Sequence, residues 1–225
     1  TVEEGGTCQG KTAFLRDFYR LGVRMMTLTW NFPNELAFPN ARMTEEDGTF
    51  RMAPDTEHGL TDTGIAFVEE MERLGMIIDI SHLNDAGIWD VFRHTRKPFV
   101  ASHSNARAVC PSLRNLTDDQ IRRLAERGGC MGLNYYDKFL VDGGSKDPEV
   151  LWEALIRQAR HITDVGGMEI LGLGSDFDGI PTNPALPGAE AMPVLWDRLK
   201  TAGFTENQLD GIFWGNVMRV YRDAL

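Results

Sequence analysis

A chain of 225 residues, 42% hydrophobic and 25% charged, is long enough to bury a large core, and it predicts one globular domain over residues 1–225. Its 23 Lys and Arg face 33 Asp and Glu, a formal net charge of −10 with no basic run. That argues against nucleic acid or anionic membrane as partners, because phosphate binding needs clustered cations. No stretch approaches the roughly 18 uncharged apolar residues of a membrane-spanning helix. Cys8, Cys110 and Cys130 are odd in number and form no C-x-x-C pair. They predict buried small hydrophobes rather than disulfides or nucleophiles, and they suit a cytoplasmic protein.

The chain repeats a short apolar run, a polar turn, an amphipathic stretch and a glycine. Thr1–Glu4 reads as the end of a strand. Phe14, Leu15, Phe18 and Leu21 share one helical face before Gly22, which can supply a left-handed cap. Val23–Thr29 is the next strand. Residues 31–59, rich in Pro, Asn, Asp, Glu and Gly, are too long for an ordinary connection and read as an active-site loop insertion. Ile65, Val68, Met71 and Leu74 mark a helix ending at Gly75, followed by a strand at Met76–Ile80. Asn84 can cap a helix carrying Ile88, Val91 and Phe92, and Pro98 prevents its extension into the strand Pro98–Ser102. Thr117 and Gln120 form a capping box before Ile121 and Leu124. A strand at Cys130–Asn134 precedes a long helix opened by Asp147-Pro148 and closed by Gly166. The last strand is Ile170–Gly174. A second proline-rich loop covers residues 179–188, and Thr205 with Gln208 repeats the capping box. Near-continuous apolar strands alternating with helices indicate βαβ units and a parallel sheet covered on both faces.

Residues able to bind or react stand just after strand ends, where barrel enzymes place their sites. They are Glu4, His82, His103 and Asp176. The runs M-I-I-D-I-S-H and P-F-V-A-S-H-S are apolar until their histidines. The two histidines are one strand–helix–strand repeat apart and should occupy equivalent positions on neighbouring strands, about 4.8 Å apart. Two imidazoles so placed can reach one ion through bonds of about 2.0–2.1 Å. A single strand-end histidine would more often be structural; the pair, followed by G-S-D-F-D-G, favours a metal site. Asp178 suits a turn cap better than Asp176 does. His58, His94 and His161 are expected to be ordinary surface or supporting groups. Glu3-Glu4-Gly5-Gly6 could be a solvated turn, but a carboxylate before two glycines at a strand end also suits a metal. Arg114 could hold a substrate carboxylate bidentately or pair with Asp118 or Asp119. Spacing leaves both readings open.

With these residues assembled, the chain resembles the membrane (renal) dipeptidase family of zinc peptidases, its bacterial branch in particular. The likeness runs in order through E-G-G at 4–6, G-V-R-M-M-T-L-T-W-N at 22–31, L-G-M-I-I-D-I-S-H at 74–82, A-S-H-S-N-A-R-A-V-C at 101–110, L-R-N-L-T-D-D at 113–119, G-L-G-S-D-F-D-G at 172–179 and the C-terminal W-G-N-V-M-R-V. The resemblance implies a (β/α)8 TIM-type barrel and two Zn2+ ions. It implies that Glu4 bridges the ions and that His82 and His103 serve the second. It further implies that Arg114 binds the substrate's terminal carboxylate, and that Asp176 contacts the substrate amine and transfers protons. Trp30 stands where animal members carry a substrate-contacting histidine, and Trp30 and Asn31 are assigned to the substrate side. A dipeptide is the implied substrate, a C-terminal D-residue is tolerated, and a homodimer is allowed.

The family's first strand carries a His-x-Asp pair completing the first zinc site, and no H-x-D occurs in these 225 residues. Together with six strands in place of eight, this leads to the expectation of an N-terminally incomplete barrel lacking about two βα units. The alternatives are a non-catalytic binding protein without the first zinc site and a metal-dependent barrel hydrolase of another amide or ester.

Overall fold

The computed structural model describes residues 1–44 and 50–225; part of the long loop expected over residues 31–59 therefore lies outside the described residues. Two compact units are present, residues 1–100 with 221–225 and residues 101–220.

The first unit opens with β1 (Val2–Glu3), a 3-10 turn (Gly5–Cys8) and α1 (Thr12–Arg20), then β2 (Met25–Thr27). An antiparallel hairpin follows, β3 (Ala41–Thr44) with β4 (Phe50–Ala53). The rest is α2 (Asp62–Leu74), β5 (Ile77–Asp79), α3 (Asp85–His94) and the start of β6 (Val100–Ala101). Parallel pairing runs from β1 to β2, β5 and β6, with Val2 opposite Met26, Met26 opposite Ile78 and Asp79 opposite Val100. Met26, Ile77, Ile78, Phe67, Val68, Met71, Ile88 and Val91 are all buried, so α2 and α3 turn their apolar stripes into the same core as the apolar strands. The anticipated end signals at Asn84 and Gly75 operate: Asn84 Oδ1 accepts from Gly87 N, and Gly75 closes α2 at φ 78°. Thr61, not singled out from the sequence, caps the start of α2, its Oγ1 accepting from Gly64 N. Gly22 follows α1 at φ 101°.

The second unit contains α4 (Asp118–Glu126), β7 (Cys130–Leu133), α5 (Asp137–Leu140), α6 (Pro148–Gly166), β8 (Leu171–Leu173), α7 (Met192–Thr201), α8 (Glu206–Asp210) and α9 (Asn216–Ala224). A π-helical turn, Gly211–Gly215, joins α8 to α9, whose last residues count with the first unit. β7 and β8 are parallel, with Met131 opposite Leu171. Leu124, Leu151, Leu155 and Ile162 are buried, as are Met131, Leu133 and Leu171, and together they make up this unit's core. Both capping boxes are closed reciprocally, Thr117 with Gln120 and Thr205 with Gln208. The left-handed glycine after α6 is Gly167, at φ 82°, one residue beyond the expected stop.

All three cysteines are buried and unpaired. Burial raises the thiol pKa of Cys8 and Cys110 and pushes that of Cys130 up to about 12, so none is poised as a thiolate.

Candidate metal and substrate site

In the first unit the expected residues gather at the C-terminal ends of β1, β2 and β5. Glu4 turns the chain at φ 100°, a left-handed backbone that a residue with a side chain adopts only under constraint. Its Oε1 accepts from Gly6 N at 2.7 Å and Asn34 Nδ2 at 2.5 Å, and its Oε2 accepts from Trp30 N at 2.8 Å. Asn34 is held in turn, its Oδ1 accepting from Leu36 N and Ala37 N at 2.8 and 3.1 Å. The loop after β2 is thus tied to the carboxylate at the end of β1.

Glu3, rather than Glu4, faces the histidine: Glu3 Oε1 lies 3.0 Å from His82 Nε2. His82 follows β5 at φ 73° and is only 7% exposed. Its Nδ1 lies 3.1 Å from Asn31 Oδ1, and its ring centroid lies 6.4 Å from that of Trp30. An amide oxygen only accepts, so Nδ1 carries the hydrogen in this arrangement. Nε2 then turns a lone pair toward a carboxylate unless a proton or a cation stands between them. An imidazole nitrogen beside a carboxylate oxygen is a donor set that fits Zn2+, and the hydrogen bond at Nδ1 is the outer contact that usually orients such a ligand. Trp30 is 42% exposed and Phe32 50%, with their rings 5.8 Å apart. They form an aromatic lip beside His82.

In the second unit His103 follows β6, its Nδ1 2.7 Å from Ser102 Oγ. The segment is anchored by Ser104 N donating to Gly132 O at 2.9 Å. Asp176 follows β8 at φ 61°, and its Oδ2 accepts from Asn134 Nδ2 at 3.1 Å. Asp178 is exposed. Arg114 is only 7% exposed, with its backbone N 3.3 Å from Ser112 Oγ and its guanidinium carbon 5.5 Å from the centre of the Phe139 ring. Of its two expected acidic partners, Asp118 receives His161 Nε2 at 2.7 Å and Asp119 receives Arg122 at 2.6 Å. His58 and His94 stand near Asp55 and Glu69, at 3.1 and 3.7 Å. These are contacts at the surface.

Sequence reasoning singled out neither Glu3 as the partner of His82 nor the asparagines behind the site. Asn105, Asn115 and Asn134 are each fully buried. Asn105 Oδ1 and Nδ2 pair with the backbone N and O of Asn134 at 2.9 and 3.0 Å, and Asn115 Oδ1 accepts from Asn105 N at 3.2 Å. Only Asn134 carried a signal, ending the apolar run C-M-G-L-N, where a buried amide must find partners.

The profile of the membrane dipeptidase family, peptidase family M19, matches residues 1–225. The chain is 35% identical over 223 residues to a Klebsiella pneumoniae protein described as lying in the pqqA 5′ region, covering 99% of this chain and 80% of that one. It is 34% identical to mouse Dipeptidase 3, covering 99% of this chain and 43% of the relative. A crystal structure of a metallo peptidase from Rhodobacter sphaeroides, liganded with a phosphinate mimic of the dipeptide L-Ala-D-Ala, superposes with a TM-score of 0.87 at 33% identity. It covers 96% of this chain and 60% of that one. The chain therefore spans well under half of the mouse relative and three fifths of the solved one, and over that span it has the parallel α/β fold of the dipeptidase barrels. It belongs to the membrane dipeptidase family of metallopeptidases, peptidase family M19.

Proposed function

We propose that the protein is a zinc-dependent dipeptidase whose metal is held by His82, His103 and the carboxylates at the end of β1. The observation that carries this reading is the imidazole nitrogen of His82 set 3.0 Å from a Glu3 oxygen, with its other nitrogen held by Asn31. Glu3 supplies the oxygen facing His82. Glu4 remains a ligand as well, because three donors leave its carboxylate about one of roughly four acceptor positions. Two Zn2+ ions in the complete protein would supply an activated water and polarise the scissile carbonyl.

The chain's own residues do the rest. Arg114 binds the substrate's terminal carboxylate, its buried guanidinium strengthening a charge-assisted hydrogen bond. Asp176 receives the substrate's amino group and carries a proton to the leaving amine. Trp30 and Asn31 border the substrate next to His82. Fixing both charged ends favours dipeptides, since a longer peptide places no carboxylate at the distance of Arg114. The mimic bound by the Rhodobacter sphaeroides relative supports L-Ala-D-Ala as a substrate to try first.

The test is hydrolysis of L-Ala-L-Ala and L-Ala-D-Ala by the full-length protein, with zinc content measured on the same samples. His82→Ala and His103→Ala are each expected to lose zinc and activity together. Full activity in either purified variant would refute the assignment.

A further inference from the structure

We infer that Asn134 is the positioning residue for Asp176: its side-chain amide fixes the direction of the carboxylate that the proposed function assigns to proton transfer. The catalytic part of this inference rests on that assignment; the placement of the carboxylate does not. Asn134 is fully buried at the end of β7, the strand beside β8, from which Asp176 emerges. Its Nδ2 lies 3.1 Å from Asp176 Oδ2 and 3.5 Å from His103 O. Its Oδ1 accepts from Tyr136 N at 2.7 Å, which leaves the amide one orientation. Its own backbone is clamped by both side-chain atoms of Asn105.

Asp176 needs such a support. It stands at φ 61° and is only partly buried, in a loop without regular structure. On its other side the carboxylate takes up room that only a glycine leaves: a methyl group on Gly179 would lie 2.3 Å from Asp176 Oδ1. Asn134 thus draws one oxygen into the protein while the second stays beside a residue that has no side chain. A proton carrier displaced by about 1 Å loses on the order of 100-fold in rate.

The experiment compares Asn134→Ala and Asn134→Asp with wild type and with Asp176→Ala, in the zinc-loaded full-length protein. N134D retains the acceptor for Tyr136 N–H but sets a carboxylate oxygen in place of the donor, which repels Asp176 Oδ2, so it keeps the test valid should N134A fold poorly. Both are expected to lower kcat roughly 10- to 100-fold with little change in KM. In the Asp176→Ala background N134A should cost nothing further, because the group it positions is gone. Crystal structures of both Asn134 variants should show the Asp176 carboxylate turned away from its present direction. An unmoved carboxylate, wild-type kcat in N134D, or a loss in the double variant equal to the product of the two single losses would overturn the inference. Full activity of Asp176→Ala would instead refute the proton-transfer role, and the crystal structures would still decide the positioning.

Discussion

Gly132, on β7, tests how tightly the segment carrying His103 is held. A methyl group built on it would lie 2.0 Å from Ser102 O, 2.8 Å from Gly174 Cα and 2.9 Å from Gly174 N. All three are backbone atoms, so no change of rotamer relieves the overlap, and ordinary carbon contacts need about 3.5–4.0 Å. The same crowding recurs from the other side, where a methyl on Gly174 would meet Ser102 O at 2.1 Å. Gly132→Ala must therefore push the residue before His103 away from β7, while Ser104 N is bonded to Gly132 O at 2.9 Å. Overpacking of this kind costs about 1–3 kcal/mol. For a chain of this size each kcal/mol lowers the melting temperature by roughly 2–4 °C, which gives a drop of about 2–12 °C. Gly172→Ala is the control, since its nearest neighbours are Cys130 Sγ at 3.0 Å and Met131 O at 3.8 Å, and the thiol can turn aside. Thermal melts by circular dichroism, with zinc titration of the folded variants, should show G132A less stable than G172A and weaker in metal binding. Equal melting temperatures for G132A and wild type would refute the reasoning.

Arg114→Ala should raise KM for dipeptides far more than it lowers kcat, by the roughly 10- to 150-fold expected for a lost charge-assisted hydrogen bond of about 1.5–3 kcal/mol. Amidated substrates should be barely affected, and equal losses on both would show a structural arginine. Glu3→Gln should weaken zinc binding by at least the roughly 10-fold that loss of a supporting residue costs, measured by competition with a chelator; unchanged affinity would return the role to Glu4 alone. Glu70, hydrogen-bonded by Arg73 and Arg16, is held at about 2 against an ordinary 4.5. Because its folded pKa is depressed, its contribution is complete above 4.5 and is lost as the pH falls through about 2. The arginines are 62% and 46% exposed, so screening leaves about 1 kcal/mol. E70Q should be less stable than wild type at pH 7, with the gap closing in acid; a gap that widens below pH 4 would contradict the sign.

What was legible in the sequence is what is decided locally. Helix starts at Asn84, Thr117, Asp147 and Thr205 depend on a side chain and a backbone N–H two or three residues away, and a sequence displays that spacing directly. All six expected strands are present, but their ladders are shorter than their apolar runs. Leu28 and Thr29 are buried beyond the end of β2, because apolar character marks burial rather than pairing. The β3–β4 hairpin was hidden inside a segment read as loop, although A-R-M-T carries the two-residue alternation of a strand. The candidate site was found at the resolution of strand ends, not of side chains. Choosing Glu3 over Glu4 as the neighbour of His82 requires the backbone angle at Glu4, and partners such as Asn31 for His82 are 51 residues apart. No periodicity announces contacts of that range.

The backbone angles connect those two levels. Among the described residues, four that are not glycine have positive φ: Glu4, Gln9, His82 and Asp176. Three of them were chosen from the sequence as reactive, and each follows the end of a parallel strand, β1, β5 or β8. Side chains within a strand alternate between its two faces and cannot converge above its end. A left-handed residue one to three positions beyond the strand turns the chain and swings its side chain out of that alternation, at about 1–3 kcal/mol each. Glycine would adopt the same angles without strain but would bring no ligand. Such conformations persist only where the surroundings over-determine them. Here Glu4 is fixed by three N–H donors, His82 by Asn31, and Asp176 by Asn134 and by Gly179 N donating to its carbonyl. The strain and its supports fall on the same three positions. Fold stability alone gives no reason to put a carboxylate, an imidazole and a second carboxylate where glycine would be cheaper; placing reactive groups at strand ends does.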